Sequence, residues 1–319
     1  MHPFTTPVLT KSFLNLNKLK NCSRSSKNGL VLLYFLFSFF TLANAQIREL
    51  QSMWEDQIDT SAFSFRTQNY LQISEEEFLD LYDAQPSFGM FRDNYFITGV
   101  PTNKDINKQT ADVKYQISVS QRLTKSRLPF RTSLLLTYTQ KSFWDIYENS
   151  SPFADNNYNP GITLIRPVLN NQQLKGGVAL SLEHESNGLD SIYSRSWNFI
   201  TLSGVYFYNA NISLQGKMWA GVLGDENKDL FRYRGYGLLA MNYRSYNDNF
   251  WASLVLNPSK KFNAVNTIVE LNFKPISSSN QYLFIQWYNG YGENLYDYNQ
   301  YTTMVRFGLC IKPAMRNFY

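Results

Sequence analysis

Residues 178–206 read VALSLEHESNGLDSIYSRSWNFITLSGVY, and the fold turns on whether their two arms are strands. Side chains along a strand point to opposite faces in turn. Val178, Leu180, Leu182, His184 and Ser186 therefore share one face of the first arm, and Asn198, Ile200, Leu202, Gly204 and Tyr206 share one face of the second. Antiparallel pairing around a loop centred near Ser191 sets His184 opposite Asn198, Leu182 opposite Ile200 and Leu180 opposite Leu202. His184, Ser186 and Asn198 then cluster at the end of an apolar stripe. A base, a hydroxyl nucleophile and an amide on one apolar face point to chemistry at a lipid boundary.

The same alternation recurs outward from this hairpin. Val113, Tyr115, Ile117 and Val119 alternate with Lys114, Gln116, Ser118 and Ser120; Ile212, Leu214, Gly216, Met218 and Ala220 alternate with Ser213, Gln215 and Lys217; Val269, Leu271 and Phe273 alternate with Glu270, Asn272 and Lys274. Clusters of Gly, Asn, Asp, Pro and Ser separate segments of roughly ten residues, which gives about twelve strands from Asn94 to Lys312. Alternation alone fits a water-soluble sandwich as well as a membrane barrel. The aromatics favour the barrel. Tyr138, Phe143, Trp144 and Tyr147, then Tyr206, Phe207 and Tyr208, then Tyr288, Tyr291, Tyr296, Tyr298 and Tyr301 gather near strand ends, as girdles at two water interfaces do. The chain also ends in Phe318-Tyr319. The expected fold is all-β, a transmembrane antiparallel β-barrel, with a soluble sandwich as the alternative. No repeat of fixed period is visible, which counts against a propeller.

The chain has 319 residues and a formal net charge of +5. Lys11, Lys18, Lys20, Arg24 and Lys27 precede an apolar run from Leu30 to Leu42, and Ala43-Asn44-Ala45 follows. That is the pattern of a secretory signal peptide over residues 1–45; a membrane anchor is the alternative, and the run is short for one. Removing the five leader charges brings the net charge to zero, so nucleic acid is not indicated. His2 and Cys22 go with the leader, leaving His184 and Cys310 as the sole His and Cys. An intrachain disulfide and a zinc site of several His and Cys are both excluded. Residues 46–90 read as an N-terminal extension with a short helix after Ser74, which pairs with Glu77 as a capping box. Residues 91–319 form the barrel domain.

Ser186, His184 and Asn198 have the logic of nucleophile, base and orienter. A neutral amide orients an imidazole without adding a charge near lipid. On spacing alone, a plain polar cluster at a barrel rim remains open. Gln140 lies on the face of Leu134, Leu136 and Tyr138, where an amide in an apolar band is costly unless paired; a glutamine at the membrane edge is the other reading.

HESNG at His184–Gly188 followed by SRSWN at Ser194–Asn198 resembles the bacterial outer-membrane phospholipase A family, including the length of the intervening loop. Tyr138-Thr-Gln-Lys-Ser142 with Trp144, Ser150-Ser-Pro-Phe153, Asn157-Tyr158, Gly290-Tyr-Gly-Glu293 and Asp297-Tyr298-Asn299 extend the likeness from about Phe88 to Lys312. The resemblance implies calcium-dependent hydrolysis of phospholipid acyl esters at both positions and of lysophospholipids, in a Gram-negative outer membrane. It implies Ser186 as nucleophile, His184 as base, Asn198 as its orienter and the Gly188 N–H in the oxyanion hole. It further implies Ca²⁺ bound by the Ser194 hydroxyl, the Leu189 carbonyl and the hydroxyl of Ser150 of the partner subunit, in a homodimer that meets at Gln140. Leu189 stands where the family carries Arg, and Asp190 comes one place earlier than the family's acidic residue. The rival reading is a passive, porin-like or structural barrel; a soluble secreted esterase is a third.

Overall fold

The computed structural model of the chain describes residues 74–126, 128–260, 264–276 and 279–313. The expected leader, the extension as far as residue 73 and Phe318-Tyr319 lie outside them. Helix α1 (Glu75–Ala84) comes first, then the short strand β1 (Phe88–Met90). Twelve longer strands follow: β2 (Asn94–Pro101), β3 (Asp112–Arg122), β4 (Ser133–Trp144), β5 (Phe153–Asn170), β6 (Gln173–Ser186), β7 (Ser196–Phe207), β8 (Ile212–Leu223), β9 (Gly237–Arg244), β10 (Phe250–Pro258), β11 (Val265–Phe273), β12 (Gln281–Gly290) and β13 (Thr302–Ile311). A one-turn helix, α2 (Leu230–Arg234), interrupts the β8–β9 connection.

Each strand pairs antiparallel with its sequence neighbour from β2 to β13, β13 returns to β2, and β3 pairs with β4, so the sheet closes into a twelve-stranded barrel. β1 adds to the end of β3, beyond the reach of β2. The number of strands matches the count read from the alternation.

Burial is inverted relative to a water-soluble core. Leu182, Leu202, Met218 and Phe307 are among the exposed large apolar side chains, while Lys114, Glu270, Asn272 and Arg306 are buried. The apolar face points outward and the polar face lines the lumen, which is the arrangement lipid requires and water does not. Among the described residues no helix is long and apolar enough to cross a membrane; the crossing is made by strands.

Several of the buried polar groups partner one another. Arg306 bonds Glu293 at 2.6 Å and both oxygens of Asp112; Lys114 bonds Glu293 at 3.0 Å and Gln286 at 2.8 Å; Gln286 donates in turn to Glu270 at 2.9 Å. Such a network survives burial only because its members satisfy each other. Several of the expected girdle aromatics also point inward: Phe143, Phe207, Tyr288 and Tyr298 are buried, whereas Tyr147, Tyr206, Tyr208 and Tyr301 are exposed. The narrow lumen needs bulky side chains near its mouths, and aromatics of the right parity fill them.

α1 forms as its capping box predicts: the Ser74 hydroxyl takes the Glu77 N–H and the Glu77 carboxylate takes the Ser74 N–H. Phe78 and Leu79 pack on Leu174 and Phe207 at one rim. Arg122 ties the helix end down through the carbonyls of Tyr82, Asp83 and Gln85. The β6–β7 and β4–β5 connections lie together at the other rim, because Ser186 pairs with both Ser196 and Tyr158.

Leu202 faces lipid in mid-strand beside Leu180 and Met218. Leu202→Arg is expected to lower the folding free energy in lipid vesicles by about 2–4 kcal/mol, read from urea refolding midpoints; a soluble sandwich would tolerate the same change.

Candidate active site

The β6–β7 ladder has the register read from the sequence. His184 pairs with Asn198, Leu182 with Ile200 and Leu180 with Leu202. The His184 side chain shares the outer face with exposed Leu180 and Leu182, and Asn198 shares it with exposed Ile200. The imidazole Nδ1 and the Asn198 Oδ1 are 2.8 Å apart. An amide oxygen only accepts, so Nδ1 carries the proton and Nε2 is left with its lone pair. Ser186 is the last residue of β6 and half-buried. Among the described residues its hydroxyl has no hydrogen bond, to the imidazole or otherwise. The backbone beneath is fixed from the next strand, where the Asn159 amide donates to the His184 carbonyl at 3.0 Å.

The connection at 187–195 is folded around one buried side chain, Asn187. Its Nδ2 donates to the Tyr193 carbonyl at 2.9 Å and its Oδ1 accepts from Leu189 N–H and Arg195 N–H. Gly188 has a φ of 71°, and a Cβ there would stand 2.8 Å from the Tyr158 ring. Only glycine fits that turn, and among the described residues its N–H has no acceptor. Asn187 lies within the HESNG motif, whose sequence gives it no role in the chemistry. The signal was present: Asn before a glycine that must turn is a common way to fold a loop on its own backbone.

Leu189 is exposed, and neither its carbonyl nor the Ser194 hydroxyl has a partner among the described residues. Ser150 lies in the β4–β5 turn at the same rim, exposed, with a φ of 68°. No hydrogen bond joins it to the 187–195 connection within the protomer, among the described residues. There, too, no three His, Cys, Asp or Glu converge on a point that could hold a metal. The donors on offer are hydroxyl and carbonyl oxygens, a set that suits a hard cation such as Ca²⁺. Gln140 sits on the outer face of β4. Its Oε1 accepts from the Tyr138 hydroxyl and its Nε2 donates to Ser142, each at 3.1 Å.

The β12–β13 connection supports this rim. Asp155 Oδ2 accepts from Leu295 and Tyr296 N–H at 3.0 and 2.9 Å. The Tyr296 ring then lies 5.4 Å from the Arg195 guanidinium and 6.4 Å from the Tyr193 ring. Burial raises the Asp297 carboxyl above its usual range, with the charges of Arg195 and Lys104 pulling the other way.

A model of the phospholipase A1 family matches residues 87–311, the whole of the barrel. The chain belongs to the phospholipase A1 family. A putative phospholipase A1 of Neisseria meningitidis is 30% identical over 216 residues, which cover 63% of this chain and 55% of that protein, so the match spans about half of the Neisseria protein's length. The Escherichia coli phospholipase A1 is 32% identical over 213 residues, 64% of this chain and 71% of that protein. The solved E. coli outer membrane phospholipase A superposes with a TM-score of 0.63 at 27% identity, covering 71% of this chain and 94% of that one. A Salmonella typhi outer membrane phospholipase, a dimer with bound calcium, gives 0.64 at 26% identity over 73% and 95% of the two chains. An active-site asparagine-to-alanine variant of the E. coli protein also gives 0.64. The phospholipase A1 barrel described here is an outer-membrane β-barrel, in a family of enzymes that hydrolyse phospholipids.

Raised by burial, Asp297 favours the fold most when protonated, and that contribution is lost as pH rises through its folded-state pKa. Asp297→Asn is therefore expected to raise the temperature at which the folded gel band disappears at alkaline pH, and to leave it unchanged in strong acid.

Proposed function

We propose that this chain hydrolyses acyl esters of membrane phospholipids with Ser186 as nucleophile, His184 as general base and Asn198 as the residue that fixes the imidazole. The observation that carries it is the 2.8 Å bond from Nδ1 to Asn198 on the lipid-facing wall, which leaves the lone pair of Nε2 to take the Ser186 proton. Ser186 Oγ attacks the ester carbonyl and passes its proton to Nε2. The Gly188 N–H, without an acceptor among the described residues and held by a turn only glycine fits, donates to the oxyanion. The imidazolium protonates the leaving alcohol of the lysolipid. Water, deprotonated by His184, then releases the fatty acid from Ser186. Asn198 holds the reactive tautomer without placing a charge beside hydrocarbon. The asparagine removed in the E. coli active-site variant supports that assignment.

The oxygen-only donor set at the rim suits calcium, as does the calcium bound to the Salmonella dimer. Leu189 through its carbonyl and Ser194 through its hydroxyl would hold the ion, with the hydroxyl of Ser150 of the partner subunit completing the set. Bound there, calcium supplies positive charge for a developing oxyanion. The active form is a homodimer meeting at β4, where Gln140 trades its contacts with Tyr138 and Ser142 for its copy. Exposed Ser150, without a hydrogen bond to the 187–195 connection of its own protomer, is free to serve the other. Residues 1–45 are a signal peptide, and residues 91–319 the catalytic barrel behind an extension at 46–90. The passive-pore reading is weaker, because most of the lumen's charges pair with each other and its cavity of about 250 Å³ has room for several waters.

Purified protein in phospholipid–detergent micelles tests this. With calcium it should release fatty acid, and Ser186→Ala should reduce the rate by about 10³-fold or more. A rate unchanged by that substitution sinks the enzyme reading. Chelation by EDTA should silence the wild type and shift crosslinked dimer to monomer.

A further inference from the structure

His184, Ser186, Asn198 and Ser196 face outward in two register pairs two residues apart, His184 with Asn198 and Ser186 with Ser196. The pair between them, Glu185 with Trp197, faces the lumen. There the Trp197 indole N–H donates to Glu185 Oε2 at 2.8 Å, a side-chain bridge across the same two strands on the opposite face. The same oxygen accepts from Arg234 at 2.6 Å, and the guanidinium lies 5.9 Å from the Trp197 ring. Trp197 is buried and stacked on Phe199 with ring centroids 3.6 Å apart. Arg234, at the end of α2, also donates to the Gly292 carbonyl at 3.3 Å. α2 is itself pinned by Asn257 on the Arg234 carbonyl and Asn266 on the Tyr233 carbonyl.

This bridge stands where the ladder is about to end. Beyond Ser186 and Ser196 a single backbone bond, Asn187 N–H to Arg195 carbonyl at 3.0 Å, remains before the strands part. On the lipid side the Asn198 bond is the imidazole's sole hydrogen bond among the described residues. Lipid gives no directional contact to hold either ring or amide. On the lumen side the Glu185–Trp197 bond adds a side-chain link across the two strands at the end of their backbone ladder.

We propose that Glu185 and Trp197, braced by Arg234, are positioning residues for the outer-face site: their bridge holds the end of the ladder still, so that Nδ1–H reaches Asn198 and Nε2 stays bare. The inference rests on the proposed role of His184. A neutral residue at 185 can still accept the indole proton, so the acceptor matters first and the charge second. Glu185 also neutralises Arg234, which would otherwise be a lone cation in the lumen.

The test uses the full-length protein carrying His2→Gln, so that His184 gives the sole imidazole signals, labelled at histidine nitrogen and folded in detergent micelles. At alkaline pH the parent should show protonated Nδ1 and bare Nε2. Trp197→Phe, which removes the N–H and keeps a ring, should show the two tautomers exchanging, with kcat lower by about tenfold and KM changed little. Glu185→Gln should keep the parental signals and Glu185→Ala should lose them. The inference is overturned if Trp197→Phe keeps the parental imidazole signals, or if Glu185→Gln loses them as fully as Glu185→Ala. Retention of the heat-modifiable gel band establishes that each variant is folded. Should Trp197→Phe fail that check, a folded Glu185→Ala protein with parental signals overturns it instead. The imidazole signals report positioning whether or not lipid is hydrolysed, and Ser186→Ala reports the catalytic proposal alone, so the two failures are distinguishable.

Discussion

The pairing of β3 with β4 is what the rest of the molecule depends on. Ten register pairs, from Val113 with Trp144 to Arg122 with Leu135, join the two strands that would otherwise be free edges. A sheet in lipid has no solvent to satisfy an edge. Once the ring is closed, the pleat divides every strand into an outer and an inner set, and side-chain chemistry has to follow. Apolar residues are left outside and charges are forced together inside.

That division explains why one hairpin carries two kinds of machinery. On the outer face of β6 and β7, polar groups are few, and His184 with Asn198 sits at the edge of Leu182 and Ile200. On the inner face, Glu183 pairs with Lys217 and Arg92 while Glu185 pairs with Arg234. The outer groups face a medium that gives them no structure. The inner groups sit against opposite charges that fix them by direct bonds. A site that faces lipid is thus stiffened from the lumen, through a sheet one residue thick.

The β6–β7 loop solves a related problem. Nine residues must leave the ladder and return with Gly188 and Ser194 presented at the rim. Asn187 does so by turning its amide inward and bonding three backbone groups of its own loop. The β12–β13 connection props the same loop from across the mouth, with Asp155 fixing the backbone of Tyr296 and Tyr296 lying against Arg195.

Much of this was legible in the order of residues. Period-two alternation set the strand count and the face of each strand, and the spacing of His184, Ser186 and Asn198 around a nine-residue loop set the register of the hairpin that holds them. Those are local properties, because the pleat and the antiparallel ladder act between near neighbours in the chain. Parity alone could not say which of the two faces is the core; that follows from closure, a property of all twelve strands at once. For the same reason the girdle aromatics divided between lipid and lumen only in three dimensions, and Gln140 found partners in its own strand. The bridge from Glu185 through Trp197 to Arg234 joins residues 49 apart in sequence, brought together because α2 folds back into the mouth of the barrel. Long-range packing of that kind depends on where loops travel, and no spacing in the sequence encodes it.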